Sequence, residues 1–141
     1  MKGKVSIHKT TVKDIMTSPV SSLNTVMTIK EAITFLIENK ISGAPLLRQD
    51  GELLSIISEM DLMRIGVLEN VDTKLALCVE KLPKTTKLIT ITKDKSFAEL
   101  FKLFLENQIR RVLVIDNRKR PIGIVARRDI LKAYLTHVEN E

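Results

Sequence analysis

The sequence predicts an α/β (α+β) fold built from two pseudo-symmetric β-α-β-β-α repeats packed as one module. Three observations lead there. The hexapeptide LIENKI at residues 36–41 returns as FLENQI at residues 104–109, an offset of 68. Carried outward without gaps, that offset pairs Glu31 with Glu99, Ile56 with Ile124 and Asp61 with Asp129. Each copy also shows the same order of apolar periods, one helical stripe followed by two short continuous runs. A unit of about 50 residues is marginal alone, so the copies are expected to bury a shared face.

Each copy opens on a short strand candidate, residues 20–23 and 88–92. Helices follow, announced by Thr28-Ile-Lys-Glu31 and Ser96-Phe-Ala-Glu99, where hydroxyl and carboxylate satisfy orphan amides as a capping box. Ile29, Ala32, Ile33, Leu36 and Ile37 form one apolar stripe; Phe97, Leu100, Phe101, Phe104 and Leu105 form the other. Apolar runs at 44–47 and 53–57, and at 112–115 and 122–125, read as strand pairs joined by polar turns at 48–52 and 116–121. Pro121 has no N–H to give to a ladder and belongs at a strand's start. A second helix closes each copy, at 59–68 and 127–137. The domain bounds are 12–68 for the first repeat, 69–86 for a linker with the start of the second, and 87–137 for the second repeat.

The chemistry gathers where the second strand leaves the hairpin, in SIISEMDLM from Ser55 and GIVARRDIL from Gly123. An aspartate opens the next helix both times. Ser58-Glu-Met-Asp61 fits a capping box and needs no ligand. Ala126 has no hydroxyl to cap with, yet Asp129 remains, so its carboxylate either complements the helix dipole or has a task of its own. A carboxylate so placed can take both hydroxyls of a ribose, as acidic residues do in dinucleotide folds. Gly123 leaves room for a planar ring, and Arg127 and Arg128 stand at a helix N-terminus that already favours phosphate. Arg110 and Arg111, at the mouth of the neighbouring strand, present planar forks suited to phosphate oxygens. The alternative is a solvated basic surface that keeps the protein soluble. Copy one has Ser42 and Gly43 at the positions of the first arginine pair and Met60 at that of Arg128, so two clefts of unequal affinity are expected.

Together, VKDIMTSPV, ISGAPLL, IRRVLVID and the SIISEMD and GIVARRD elements resemble a tandem pair of CBS domains, the cystathionine beta-synthase type or Bateman module, over residues 12–132. The resemblance implies adenosine-containing ligands bound between repeats and a dimer of pairs. It implies that Asp129 and Asp61 hold ribose hydroxyls, and that Arg110, Arg111 and Arg128 meet phosphate. Thr17, Val20, Ser21, Ile41, Ser42 and Gly43 are implied to wall the main cleft with Ala126, Arg127 and Asp129. Leu88, Ile89 and Ile109 are implied to wall the second, with Ser58 and Asp61. The sequence departs from the family pattern at Ala126, at Ser55 where a glycine is usual, and where the MTxP lead-in becomes LPKTT at 82–86 in copy two. The Asp129 cleft is therefore the one expected to take charged nucleotides.

The expected function is a non-catalytic regulatory module that binds AMP, ADP or ATP and alters a homodimer or its contact with an effector protein. No nucleophile stands paired with a base, and no phosphate loop or metal-ligand spacing occurs, so no catalytic cofactor is expected. S-adenosylmethionine or NAD(H) is the alternative ligand, because a ribose-binding aspartate serves any adenosyl group. Nucleic acid is the alternative partner, since the net charge of +6 favours polyanions. Four Phe and one Tyr, three of the Phe in a helix stripe, leave little for base stacking. A lone Cys78 and the lack of a signal peptide or apolar span point to the cytoplasm and no membrane.

Overall fold

The structure, a computed structural model, describes residues 6–82 and 88–137. The chain divides into two compact units, and the division cuts across the repeats: one unit joins residues 1–20 to 89–141, the other is 21–88.

In the second of these, β1 (Leu23–Asn24) pairs in parallel with β2 (Gly43–Leu47), which pairs antiparallel with β3 (Leu53–Ser58). Helix α2 (Ile29–Glu38) connects β1 to β2, and α3 (Glu59–Leu68) follows β3. The other unit repeats the order with β4 (Thr90–Ile91), α5 (Phe97–Asn107), β5 (Arg111–Ile115), β6 (Pro121–Ala126) and α6 (Arg127–Thr136). Both capping boxes predicted for α2 and α5 form, with Thr28 and Ser96 accepting from the amides of Glu31 and Glu99. Pro121 begins β6. The opening strands are shorter than the sequence suggests, two residues each, because only those residues face the partner strand in register. Lys40 and Gln108, one offset apart, take left-handed φ of 54° and 50° just beyond α2 and α5 and stop both helices.

Two short helices escape the periodicity: α1 (Val12–Ile15) and α4 (Leu75–Cys78), the latter running into a 3-10 turn at Val79–Lys81. Their hydrogen bonds are equivalent. Val12 and Lys13 N–H groups donate to the carbonyls of Lys95 and Lys93 at 2.9 and 3.0 Å; Leu75 and Ala76 donate to Met27 and Thr25 at 2.8 and 3.0 Å. The acceptors keep the offset of 68, whereas the donors lie 63 apart. Each lead-in segment therefore docks on the sheet of the other repeat. Residues 69–82 accordingly belong to the packed body of their unit, and counting on at 63 aligns Met16-Thr17-Ser18-Pro19 with Val79-Glu80-Lys81-Leu82, the first stretch leaving its helix extended and the second continuing into the 3-10 turn. The expected counterpart, LPKTT at 82–86, is displaced by that shift, and its last four residues lie outside the described ones.

Each unit has its own core. Leu23, Ile29, Leu46, Ile57, Leu75 and Cys78 are the most deeply buried in one, and Val12, Leu100, Val112, Val114 and Val125 in the other. Burial pushes the Cys78 thiol upward, and its Sγ faces the Lys74 and Leu75 carbonyls, so it serves as packing. At the β5–β6 turn, the Arg120 backbone N–H holds the Asp116 carboxyl below the usual carboxylate range.

A lead-in residue is thus worth as much as any core residue. Leu75→Ala should cost about 2–5 kcal/mol in urea denaturation, whereas Leu77→Ala, 71% exposed on the same helix, should change stability by less than about 0.5 kcal/mol.

Candidate functional site

At the exit of β6, Asp129 occupies the first turn of α6. Its Oδ2 accepts the Ala126 N–H at 2.7 Å and its Oδ1 accepts the Thr17 hydroxyl at 2.8 Å. The carboxylate keeps the backbone half of a capping box and takes its hydroxyl from the lead-in segment. The arginines converge on the same edge. Arg111 stands opposite Ala126 in the β5–β6 register. The Arg110 carbonyl accepts the Arg127 N–H at 3.3 Å, and Arg127 Nε donates to the Ile109 carbonyl at 3.1 Å. Arg110, Arg127 and Arg128 are exposed. Here the backbone brings together Thr17, Ile109, Arg110, Arg111, Ala126, Arg127, Arg128 and Asp129, so four arginines and one carboxylate share one end of the sheet at a helix N-terminus.

The counterpart at the exit of β3 is neutral to acidic. Asp61, 7% exposed, accepts the Ser58 N–H and hydroxyl on Oδ2 at 2.8 and 2.9 Å, and its own N–H donates to Ser58 Oγ at 3.1 Å. The capping box predicted from Ser58 and Asp61 is made in full. Among the described residues, no hydrogen bond reaches Asp61 Oδ1. Where the other unit has Arg110, Arg111, Arg127 and Arg128, this one has Ser42, Gly43, Glu59 and Met60. Ser42 contributes its carbonyl to the Glu59 N–H at 2.9 Å, and Gly43 is buried opposite Ser58. A cavity of about 770 Å³ opens beside Asp61, lined among others by Thr25, Ser55, Ile56, Val79, Glu80 and Leu88.

The residues assigned from sequence to the main cleft fall in both units: Thr17, Val20 and the set from Arg110 to Asp129 in one, Ser21, Ile41, Ser42 and Gly43 in the other. Those assigned to the second cleft divide likewise, Ser58, Asp61 and Leu88 in one and Ile89 and Ile109 in the other. Sequence reasoning missed Thr25, Arg48 and Glu80 as cavity residues. The spacing that finds Glu80 is the apolar pair Leu75 and Cys78, which repeats Val12 and Ile15 once the five-residue shift is allowed. Among the described residues, no three His, Cys, Asp or Glu side chains gather to hold a metal ion, and no helix is long and apolar enough to cross a membrane.

The CBS domain profile matches residues 12–67 and 79–136, which together span most of the chain. The chain belongs to the CBS domain family. Tandem CBS domains are generally regulatory modules, including where they are joined to enzymes. The uncharacterized protein MJ1426 of Methanocaldococcus jannaschii is 31% identical over 88% of this chain and 90% of its own length. Two further relatives are longer, and the chain spans 41% and 56% of them. Among solved structures, the CBS domain pair of protein MJ0100, in complex with 5′-methylthioadenosine and S-adenosyl-L-methionine, is 26% identical with a TM-score of 0.67, covering 94% of this chain and 98% of that one. CBSX2 of Arabidopsis thaliana, solved in complex with AMP, shares the fold at 24% identity and a TM-score of 0.69, over 90% of this chain and 97% of that one.

The two CBS repeats differ in how closely the lead-in lies on the last strand. In one unit Thr17 and Ile124 exchange both backbone hydrogen bonds, at 2.8 and 2.9 Å. Gly123 permits it: a Cβ there would stand 2.5 Å from Met16 Sδ and 3.0 Å from its Cγ. Its counterpart in the first repeat is Ser55, which carries that Cβ, and there the cavity lies alongside. Gly123→Val should destabilise the protein by about 1–3 kcal/mol through overpacking against Met16. Adding Met16→Ala should return part of the loss, a coupling that a double-mutant cycle in urea measures.

Proposed function

We propose that the repeats at 12–68 and 87–137, with the joining stretch 69–86, form a non-catalytic sensor of adenosine nucleotides, with the Asp129 site as the one that takes AMP, ADP or ATP. The observation that supports it most is that Arg110, Arg111, Arg127 and Arg128 lie on adjacent backbone at the sheet end where Asp129 begins α6. Asp129 would accept ribose hydroxyls while the guanidinium forks and the helix N-terminus answer phosphate. Thr17 fixes the carboxylate's orientation by its hydrogen bond, so a ligand meets a preset acceptor. The response is a shift between states that bind the nucleotide unequally. S-adenosylmethionine is a second reading, favoured by the ligands of the MJ0100 pair; the four arginines favour phosphate.

In isothermal titration calorimetry, Asp129→Ala should abolish AMP binding, and Arg111→Ala should weaken ATP more than adenosine. Unchanged ATP affinity in both variants would sink the assignment.

The state that responds is a homodimer. Met63 and Val67 on α3 recur as Leu131 and Leu135 on α6, and all four are exposed, Val67 and Leu135 by 85% and 79%. A face repeated on both CBS domains suits an isologous contact with a second copy. Light scattering on the variant carrying Val67→Lys and Leu135→Lys should give a monomer where the unmodified chain gives a dimer; a monomeric unmodified chain overturns this.

A further inference from the structure

The cavity beside Asp61 is chemically unlike the Asp129 site. Counted on from the paired donors at the offset of 63, Glu80 aligns in sequence with Thr17, the residue that touches Asp129, but it sits in a 3-10 turn where the chain at Thr17 bridges to the sheet. Glu80 lines the cavity with Asp61, so two carboxylates face it. Among the described residues, the one cation in its wall is Arg48, just past the far end of β2, whose other end at Gly43 pairs with Ser58 beside Asp61. None of the four arginines of the other repeat has a basic counterpart here, and Glu59 stands where Arg127 does. The rest of the wall is largely apolar, from Leu54, Ile56, Val79 and Leu82. Ser55 also lines the cavity, with its hydroxyl buried away from solvent and without a hydrogen-bond partner.

We infer that this cavity selects an adenosine-type nucleoside whose 5′ substituent is uncharged or cationic, and that Glu80 is the specificity-determining residue that turns phosphates away. The adenosine class rests on the function proposed above; the charge preference rests on Glu80, Glu59 and the missing arginines. Asp61 Oδ1 supplies the ribose acceptor, the apolar wall takes the base, and Glu80 adds a negative charge to a cavity whose counterpart site is cationic. A phosphate brought to that end meets like charge and no fork to answer it. Glu80 is exposed, so the discrimination is strongest at low salt.

The test is calorimetry at low ionic strength on Asp129→Ala protein, with 5′-methylthioadenosine and AMP as probes. Methylthioadenosine should bind, with AMP about tenfold weaker, and adding Glu80→Thr should bring the two within about threefold. Equal affinities in the Asp129→Ala protein, or a ratio that Glu80→Thr leaves unmoved, would overturn the inference. Were the unmodified chain to bind AMP, and the Asp129→Ala protein neither probe, the inference would fail while the nucleotide reading stood. Failure of the unmodified chain to bind either probe would remove both. Asp129→Asn serves in the same experiment should the alanine variant not fold.

Discussion

Everything else in this fold depends on the docking of two short lead-in segments onto loops that precede α2 and α5. Four backbone hydrogen bonds, from Val12 and Lys13 and from Leu75 and Ala76, fix them. Without them each core would lose two buried apolar side chains, Val12 with Ile15 or Leu75 with Cys78. Backbone bonds of this kind do not depend on side-chain identity, which explains how VKDI and LALC perform one role while sharing no residue at equivalent positions. The docking also ties the two repeats into one covalent circuit, because each unit needs a segment from beside the other repeat.

That constraint sets what the sequence could disclose. The helices α2 and α5, the hairpins and α3 and α6 were legible because their signals are local: a capping box within four residues, a stripe within nine, a turn between two apolar runs. The lead-in helices were not, since four residues hold a single turn and show no period. Their register changes from 68 to 63, so a comparison at constant offset passes over them. Thr17 and Asp129 lie 112 residues apart, and no pattern internal to the chain joins them. The family resemblance supplied Thr17, but Glu80, aligned with it at the offset of 63, needed the hydrogen-bonded donors to set that count.

Glycine at 123 and serine at 55 show how one atom alters a site. In the second repeat the missing Cβ makes room for Met16 and lets Thr17 bridge to Ile124. In the first repeat Ser55 carries that Cβ, its hydroxyl is buried without a partner, and a cavity lies alongside. A buried hydroxyl without a partner lowers stability.

The two carboxylates finally show why the repeats could diverge at the lead-in. Asp61 and Asp129 each receive one backbone N–H and one hydroxyl, so their hydrogen-bond count is the same. The sources differ. Ser58 supplies both to Asp61 from within its own capping box, whereas Ala126 supplies only the N–H to Asp129 and Thr17 supplies the hydroxyl. Thr17 is exposed, so its hydroxyl orients the carboxylate without being required to satisfy it. Position 80 has no such part, because Ser58 already supplies Asp61, and a glutamate there removes no hydrogen bond from the fold. Loss of the cap in one repeat and its retention in the other thus decide which lead-in orients the carboxylate and which is open to carry charge toward a ligand.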